Sequence, residues 1–159
     1  MGFHTIHPRL ALALLALGAS GCADLRGGWL GTLSCVAGDV TLDHDLTLDL
    51  DDKSGQTYGG SGVAIATGEW IDGADAWPVT VGYVVPMVEI EVDGKGPDRP
   101  LSVRMEVSDC AMEIEGVDVA EDCGTAAGAP LGAWRWERKA DRVVVEGDCQ
   151  GELSRMESP

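Results

Sequence analysis

Apolar and polar residues alternate with a period of two along several segments of this chain. The segment VTLDHDLTLDL (40–50) places valine, leucine and one histidine at its even positions, and threonine and aspartate at its odd positions. The segments VEIEVD (88–93), LSVRMEV (101–107) and WRWERK (134–139) alternate in the same way. Because successive side chains of a strand point to opposite faces, each segment predicts a β-strand with one apolar and one polar face.

Turn-forming stretches separate these predicted strands. They include DDKSGQ (51–56), DGKGPDRP (93–100) and GTAAGAPLG (124–132), and the chain has 22 glycines in all. Seven or eight strands at this spacing are typical of antiparallel sandwiches and barrels. The sequence therefore predicts an all-β fold, a small antiparallel up-and-down β-barrel, with a β-sandwich as the alternative.

The first predicted strand, LRGGWLGTLSC (25–35), contains Gly27-x-Trp29. This opening resembles the Gly-x-Trp start of lipocalins and of the related avidin-type barrels. The resemblance implies a lipocalin-like barrel in which the Trp29 indole plugs the closed end. Trp134 and Trp136 share one face of a late strand and should also point inward. They are therefore the residues predicted to contact an apolar ligand, if the barrel holds one.

Residues 1–21 have the three-part layout of a secretory signal peptide. Arg9 gives a weakly positive start, residues 10–18 are apolar but too short to span a bilayer, and small residues follow. The stretch Ala19-Ser20-Gly21-Cys22 resembles the lipobox of bacterial lipoproteins, with Ala19 where that family prefers leucine. The resemblance implies cleavage before Cys22 and a diacylglycerol on its sulfur. The same small residues would also suit an ordinary signal peptidase.

The lipobox resemblance implies how the chain is divided and where the protein is located. It predicts a signal peptide at 1–21, a lipidated tether at 22–28 and a single barrel domain at 29–156. The acyl chains on Cys22 would hold the protein to a membrane of the bacterial cell envelope. In the lipoprotein family, an aspartate directly after the cysteine favours the inner membrane. Ala23 at that place implies the outer membrane, if the source has two membranes.

The number of cysteines agrees with the lipid anchor. The chain has five, and acylation of Cys22 leaves four, which an exported protein usually pairs. If the sheet closes, its first and last strands are neighbours. Closure therefore predicts a Cys35–Cys149 disulfide and leaves Cys110 to pair with Cys123. The other two pairings of these four cysteines stay open.

The charge balance is strongly acidic, with 11 Lys and Arg against 27 Asp and Glu and a net charge of −16. Such a surface repels nucleic-acid phosphates and anionic lipid headgroups, and its ordinary consequence is solubility. His44 lies on the strand face opposite to its neighbours Asp43 and Asp45, so these residues predict no catalytic triad. The aspartates of 43–52 do not fit an EF-hand loop, and no cofactor or metal is predicted.

The sequence thus predicts a lipid-anchored envelope lipoprotein that is not an enzyme and acts as a binding or interaction module. Its partner is a protein or a small apolar molecule, and nucleic acid is excluded. A carrier barrel for apolar ligands and a structural envelope component are the alternatives. The enzymatic alternative is a small hydrolase that uses acidic residues.

Overall fold

The computed structural model describes residues 24–120, 126–128 and 132–157, which form ten β-strands. They are β1 (Gly27–Ala37), β2 (Val40–Ser54), β3 (Thr57–Asp72), β4 (Asp75–Val92), β5 (Asp98–Ile114), β6 (Val117–Ala120), β7 (Ala126–Gly128), β8 (Ala133–Glu137), β9 (Arg142–Glu146) and β10 (Cys149–Arg155). In this part of the chain, no helix is long and apolar enough to cross a membrane. The predicted signal peptide and Cys22 lie outside the described residues.

Eight of the ten strands close into an antiparallel barrel. Strands β1 to β5 pair in sequence order, β5 pairs with β8, and β8, β9 and β10 lead back to β1. Strands β6 and β7 pair with β5 farther along it. Closure satisfies the hydrogen-bonding edges that a sandwich leaves open. The predicted all-β, small up-and-down barrel is therefore confirmed.

The apolar faces of the strands form the core, as the alternation predicts. Leu46, Leu48 and Leu50 of β2 are buried, whereas Asp45 and Asp49 between them are exposed. The same pattern on the other strands brings leucine, valine and aromatic side chains together along the barrel axis. Burial of these apolar surfaces is the main stabilising contribution to the fold.

The Trp29 indole is buried at the end of the barrel where β1 begins, and we call this end the floor. Trp29 is 1% exposed, and its Nε1 donates a 2.8 Å hydrogen bond to the carbonyl oxygen of Leu25, which is itself fully buried. The guanidinium of Arg155 lies over the indole, 4.4 Å from the ring centroid. The prediction that Trp29 is buried is confirmed. Leu25, within the predicted tether, also packs in this floor.

The Arg155 side chain ties the residues before β1 and the end of β10 to the floor. Its guanidinium donates to the carbonyl oxygens of Asp24 and Arg26 and makes two hydrogen bonds to the Asp141 carboxylate. The side-chain hydrogen bonding from Arg155 holds the pKa of the Asp141 carboxyl below its ordinary value. One side chain thus connects the start of β1, the end of β10 and the turn between β8 and β9.

The first and last strands are joined covalently. Cys35 of β1 lies opposite Cys149 of β10 in the register and forms a disulfide with it, across 114 residues of sequence. This confirms the predicted Cys35–Cys149 pair. Cys110 is buried and disulfide-bonded. Its predicted partner, Cys123, lies outside the described residues.

Strands β1 and β10 approach each other closely at Gly31. A Cβ on Gly31 would overlap the carbonyl oxygen of Glu152, and would lie 2.9 Å from the Glu152 carbonyl carbon and from the Leu153 Cα. These are backbone atoms, so no side-chain rotation relieves the overlap. The absence of a side chain at this position therefore permits the closure of the barrel.

Candidate functional site

The end opposite the floor is built from strands of unequal length. Strands β3, β4 and β5 have 16, 18 and 17 residues, whereas β8 and β9 have five each. The long strands therefore continue past the packed core as a curved wall. We call its inward face the upper wall. Its residues are Val40, Leu42, His44, Ala66, Gly68, Trp70, Trp77, Val79, Val81, Tyr83, Cys110, Met112 and Ile114.

Two tryptophans face each other across the tip of the upper wall. Trp70 of β3 is opposite Trp77 of β4 in the register, and Trp70 is also opposite Val40 of β2. Trp70 is 40% exposed and Trp77 is half-buried. Aromatic cross-strand pairs stabilise a hairpin, and their exposed faces offer apolar contact area. The upper wall thus presents accessible aromatic surface above the buried core.

A polar pair lies between the aromatic tip and the core. The Tyr83 hydroxyl oxygen and His44 Nδ1 are 2.8 Å apart, and the two rings pack edge to face. Burial lowers the pKa of His44 and raises the pKa of Tyr83. Both side chains are therefore neutral at pH 7. We assign the shared proton to the phenol, which leaves His44 with an N–H at Nε2.

The Nε2 atom of His44 remains available for a ligand. It has no hydrogen-bond partner in the described part of the chain and is not one of its buried unpaired polar atoms. The neighbours Asp43 and Asp45 point to the outer face, where Asp45 accepts a hydrogen bond from Thr32 Oγ1. The upper wall therefore offers one neutral hydrogen-bond donor in apolar surroundings.

The two tryptophans predicted to contact a ligand lie in the core below the upper wall. Trp134 and Trp136 point inward from β8 and are 4% and 1% exposed. The guanidinium of Arg138 covers the Trp136 ring at 5.6 Å. Trp134 Nε1 is buried without a hydrogen-bond partner among the described residues. A buried N–H without an acceptor costs about 1–3 kcal/mol, which a ligand or water acceptor would recover. The ligand role of these residues stays a prediction.

Acidic side chains of the described residues do not assemble into a reactive centre. No three His, Cys, Asp or Glu side chains in these residues come together in a way that could hold a metal ion. Asp51, Asp52 and Glu89 line a shallow groove of about 330 Å³ on the outer surface, where β2, β3 and β4 depart from regular pairing. This groove contains no histidine, cysteine or lysine that could act with the carboxylates.

The ligand contacts chosen from the sequence were Trp134 and Trp136, so Trp70, Trp77 and Tyr83 were not among the predicted site residues. A signal was present in WPVTVGYVV (77–85), where Trp77, Val79, Val81, Tyr83 and Val85 alternate with other residues. Placing these side chains above the core required the lengths of neighbouring strands, which alternation alone does not give. Comparisons of the chain with protein-family models, with curated proteins and with solved structures found no match.

Proposed function

We propose that this protein is a lipid-anchored module of a bacterial cell envelope that binds an uncharged, largely apolar ligand at the open end of its barrel. The observation that carries the proposal is the Trp70–Trp77 pair, which is accessible on the inward face above the buried core. Exposed aromatic surface in a concave site is the usual basis of apolar ligand binding. No catalytic step is part of this proposal.

The chemistry of the upper wall favours a neutral ligand. Its residues include no Lys, Arg, Asp or Glu, and its one histidine is neutral because burial lowers its pKa. The acidic residues around the opening would repel an anion. A cation entering the barrel would lose its hydration without meeting a carboxylate on this face.

Two N–H groups offer the ligand a polar contact. His44 Nε2 has no hydrogen-bond partner in the described residues and is not among their buried unpaired atoms, whereas Trp134 Nε1 is buried there without an acceptor. A ligand that carries a carbonyl or ether oxygen would satisfy either group, whereas a pure hydrocarbon would satisfy neither. We therefore place a hydrogen-bond acceptor on the proposed ligand.

Ligand binding is tested with the neutral fluorophore N-phenyl-1-naphthylamine, which gains emission in apolar surroundings. We expect saturable binding that weakens at least fivefold in Trp70→Ala and in Trp77→Ala, because each change removes aromatic contact area. Val63→Ala changes an exposed apolar residue on the outer face of β3 and serves as the control. It should leave the dissociation constant unchanged. Equal affinity in all four proteins, or no saturable binding, would refute the proposed site.

The depth of the site is tested separately at the core tryptophans. Trp134→Phe retains an aromatic ring but removes the indole N–H. If the ligand reaches the core, this change should weaken binding of an apolar ketone probe, 6-propionyl-2-(dimethylamino)naphthalene. Trp29→Phe, at the floor, should not weaken it. If Trp134→Phe weakens binding no more than Trp29→Phe does, the ligand does not reach the core and the site is confined to the upper wall.

The anchor rests on the resemblance of residues 19–22 to a lipobox and on the odd number of cysteines. Intact-mass analysis of the membrane-extracted protein should show acyl mass on Cys22. Cys22→Ser should move the protein from the membrane fraction to the soluble fraction. A mature chain that begins at an unmodified Cys22 would refute lipidation while leaving the ligand site to its own test.

A protein partner is the second candidate function, favoured by an apolar area on the outer face. Leu30, Val63 and Ile65 are 47%, 54% and 57% exposed, and Leu30 and Val63 are both opposite Thr47 in the register. Crosslinking in cells that is lost in Val63→Ser/Ile65→Ser, together with absence of fluorophore binding, would favour an interaction module over a carrier.

A further inference from the structure

Basic residues collect at the floor end of the barrel. We define this end as residues 24–27, 53–57, 93–99, 137–142 and 154–157, which are the turns and chain ends around Trp29. These segments contain eight Lys and Arg against six Asp and Glu. All three lysines of the chain, Lys53, Lys95 and Lys139, are among them. The floor end, which Asp51 and Asp52 of β2 border, thus concentrates the basic residues of a protein whose total charge is −16.

The opposite end has the opposite charge. The described segments around the opening are residues 36–41, 69–77, 113–119 and 146–149. They contain nine Asp and Glu and no Lys or Arg. Successive turns of an up-and-down barrel alternate between its two ends, so residues far apart in sequence join each group. The molecule is therefore electrically polar along the barrel axis.

Several floor cations are not neutralised within the protein. Lys95, Arg99, Arg138 and Lys139 form no ion pair with any described residue. They lie on two adjacent turns, because Arg99 is opposite Trp136 in the register and the Arg138 N–H donates to the Pro97 carbonyl oxygen. Lys95 and Lys139 are exposed. These two turns thus offer concentrated positive charge to a partner.

The chain leads directly from the floor to Cys22. Asp24 and Leu25 are held against the floor by Arg155 and Trp29, and only Ala23 separates Asp24 from Cys22. Two residues of extended chain reach at most about 7 Å. An acyl chain on Cys22 would therefore hold the floor within about one Debye length of a membrane surface, where charges interact without strong screening.

We infer that the floor end is a docking surface for an anionic membrane surface, and that the open end faces away from that membrane. The orientation rests on the proposed anchor, and the charge complementarity is independent of it. The acidic opening lies roughly 25 Å from the floor, as the length and usual tilt of β1 imply. That distance is about three Debye lengths at physiological salt, so the acidic residues of the opening are largely screened from the membrane.

Lysine footprinting tests this orientation, because all three lysines report on the floor end. The full-length lipidated protein is placed on vesicles of phosphatidylcholine alone or with 40% phosphatidylglycerol, and lysines are acetylated and quantified by mass spectrometry. We expect at least threefold slower acetylation of Lys53, Lys95 and Lys139 on the phosphatidylglycerol vesicles. The difference should disappear in 1 M NaCl. Carbodiimide labelling of Asp72 and Asp75 at the opening should be the same on both vesicles.

Two variants with the same change of net charge give the matched comparison. Lys95→Gln/Lys139→Gln removes two positive charges at the floor, whereas Arg104→Glu makes an equal change on the exposed outer face of β5. Protection of Lys53 by phosphatidylglycerol should be lost in the first variant and kept in the second. Loss in both variants would point to net charge alone and overturn the docking surface.

The remaining outcomes also decide the inference. Equal acetylation on the two vesicle types, or protection of Asp72 and Asp75 instead of the lysines, would overturn it. Absence of the proposed lipid on Cys22 gives a different result, because the protein would then not sediment with phosphatidylcholine vesicles. Even so, lysine protection on phosphatidylglycerol vesicles would support the docking surface, and its absence would refute it.

Discussion

Replacement of Gly31 by alanine should destabilise the barrel at its closing strand pair. The new Cβ would overlap the Glu152 carbonyl oxygen and lie 2.9 Å from two further backbone atoms, whose ordinary contact distance begins at 3.4 Å. Strands β1 and β10 must therefore separate locally by at least about 0.5 Å. The Cys35–Cys149 disulfide resists sliding of the two strands. Overpacking costs about 1–3 kcal/mol, and we expect about 3 kcal/mol because rigid backbone must move.

Thermal unfolding followed by circular dichroism measures this effect. A loss of about 3 kcal/mol corresponds to a decrease of roughly 10 °C in Tm for a domain of this size. Gly82→Ala is the matched control, because Gly82 also lies within a paired strand but its Cβ would meet no atom within 4 Å. The control should keep or slightly raise Tm, since alanine suits a strand better than glycine. A Gly31→Ala protein within 2 °C of wild type would refute the close approach of β1 and β10.

Three further predictions concern the floor and the lumen. Trp29→Ala should lower the free energy of unfolding by about 3–5 kcal/mol, since the indole is 1% exposed; urea denaturation measures it, and an unchanged midpoint would contradict the plug. Arg155→Gln should cost about 1–3 kcal/mol through lost hydrogen bonds to Asp141 and to two backbone carbonyls. Arg104→Gln, at an exposed site, should change urea stability by less than about 0.5 kcal/mol, and equal effects would contradict the role of Arg155. Burial lowers the pKa of His44, so the unfolded chain binds a proton more readily, and stability should fall as pH decreases below the ordinary value of 6.5. His44→Asn should remove that part of the dependence between pH 7 and pH 5, and an identical pH profile in the variant would contradict it.

The alternation of residues 40–50 was sufficient to predict β2, its buried face and its exposed aspartates. The expected closure of the sheet made the first and last strands neighbours, and the pairing of Cys35 with Cys149 followed from that expectation. The upper wall could not be predicted in this way. His44 and Tyr83 are 39 residues apart, and bulges in β3, β4 and β5 shift which residues face inward. Such shifts depend on pairing with neighbours and leave little trace in a local pattern.

The separation of basic and acidic residues between the two ends of the barrel was not predicted, for a different reason. A net charge describes the whole chain, whereas the floor cations come from three separate turns and both chain ends. Once an up-and-down barrel is accepted, alternate turns must lie at the same end. The grouping of Lys53, Lys95 and Lys139 follows from that rule and from the order of the strands, and it requires no side-chain coordinates.

The Cys35–Cys149 disulfide makes residues 35–149 a covalent ring. Cleavage of one peptide bond within this ring opens the backbone but releases no fragment, because the two new ends remain linked through β1 and β10. A protease that cuts any single turn would therefore leave a molecule of unchanged mass, apart from one added water, until the disulfide is reduced. This connection therefore separates damage to a turn from loss of the barrel.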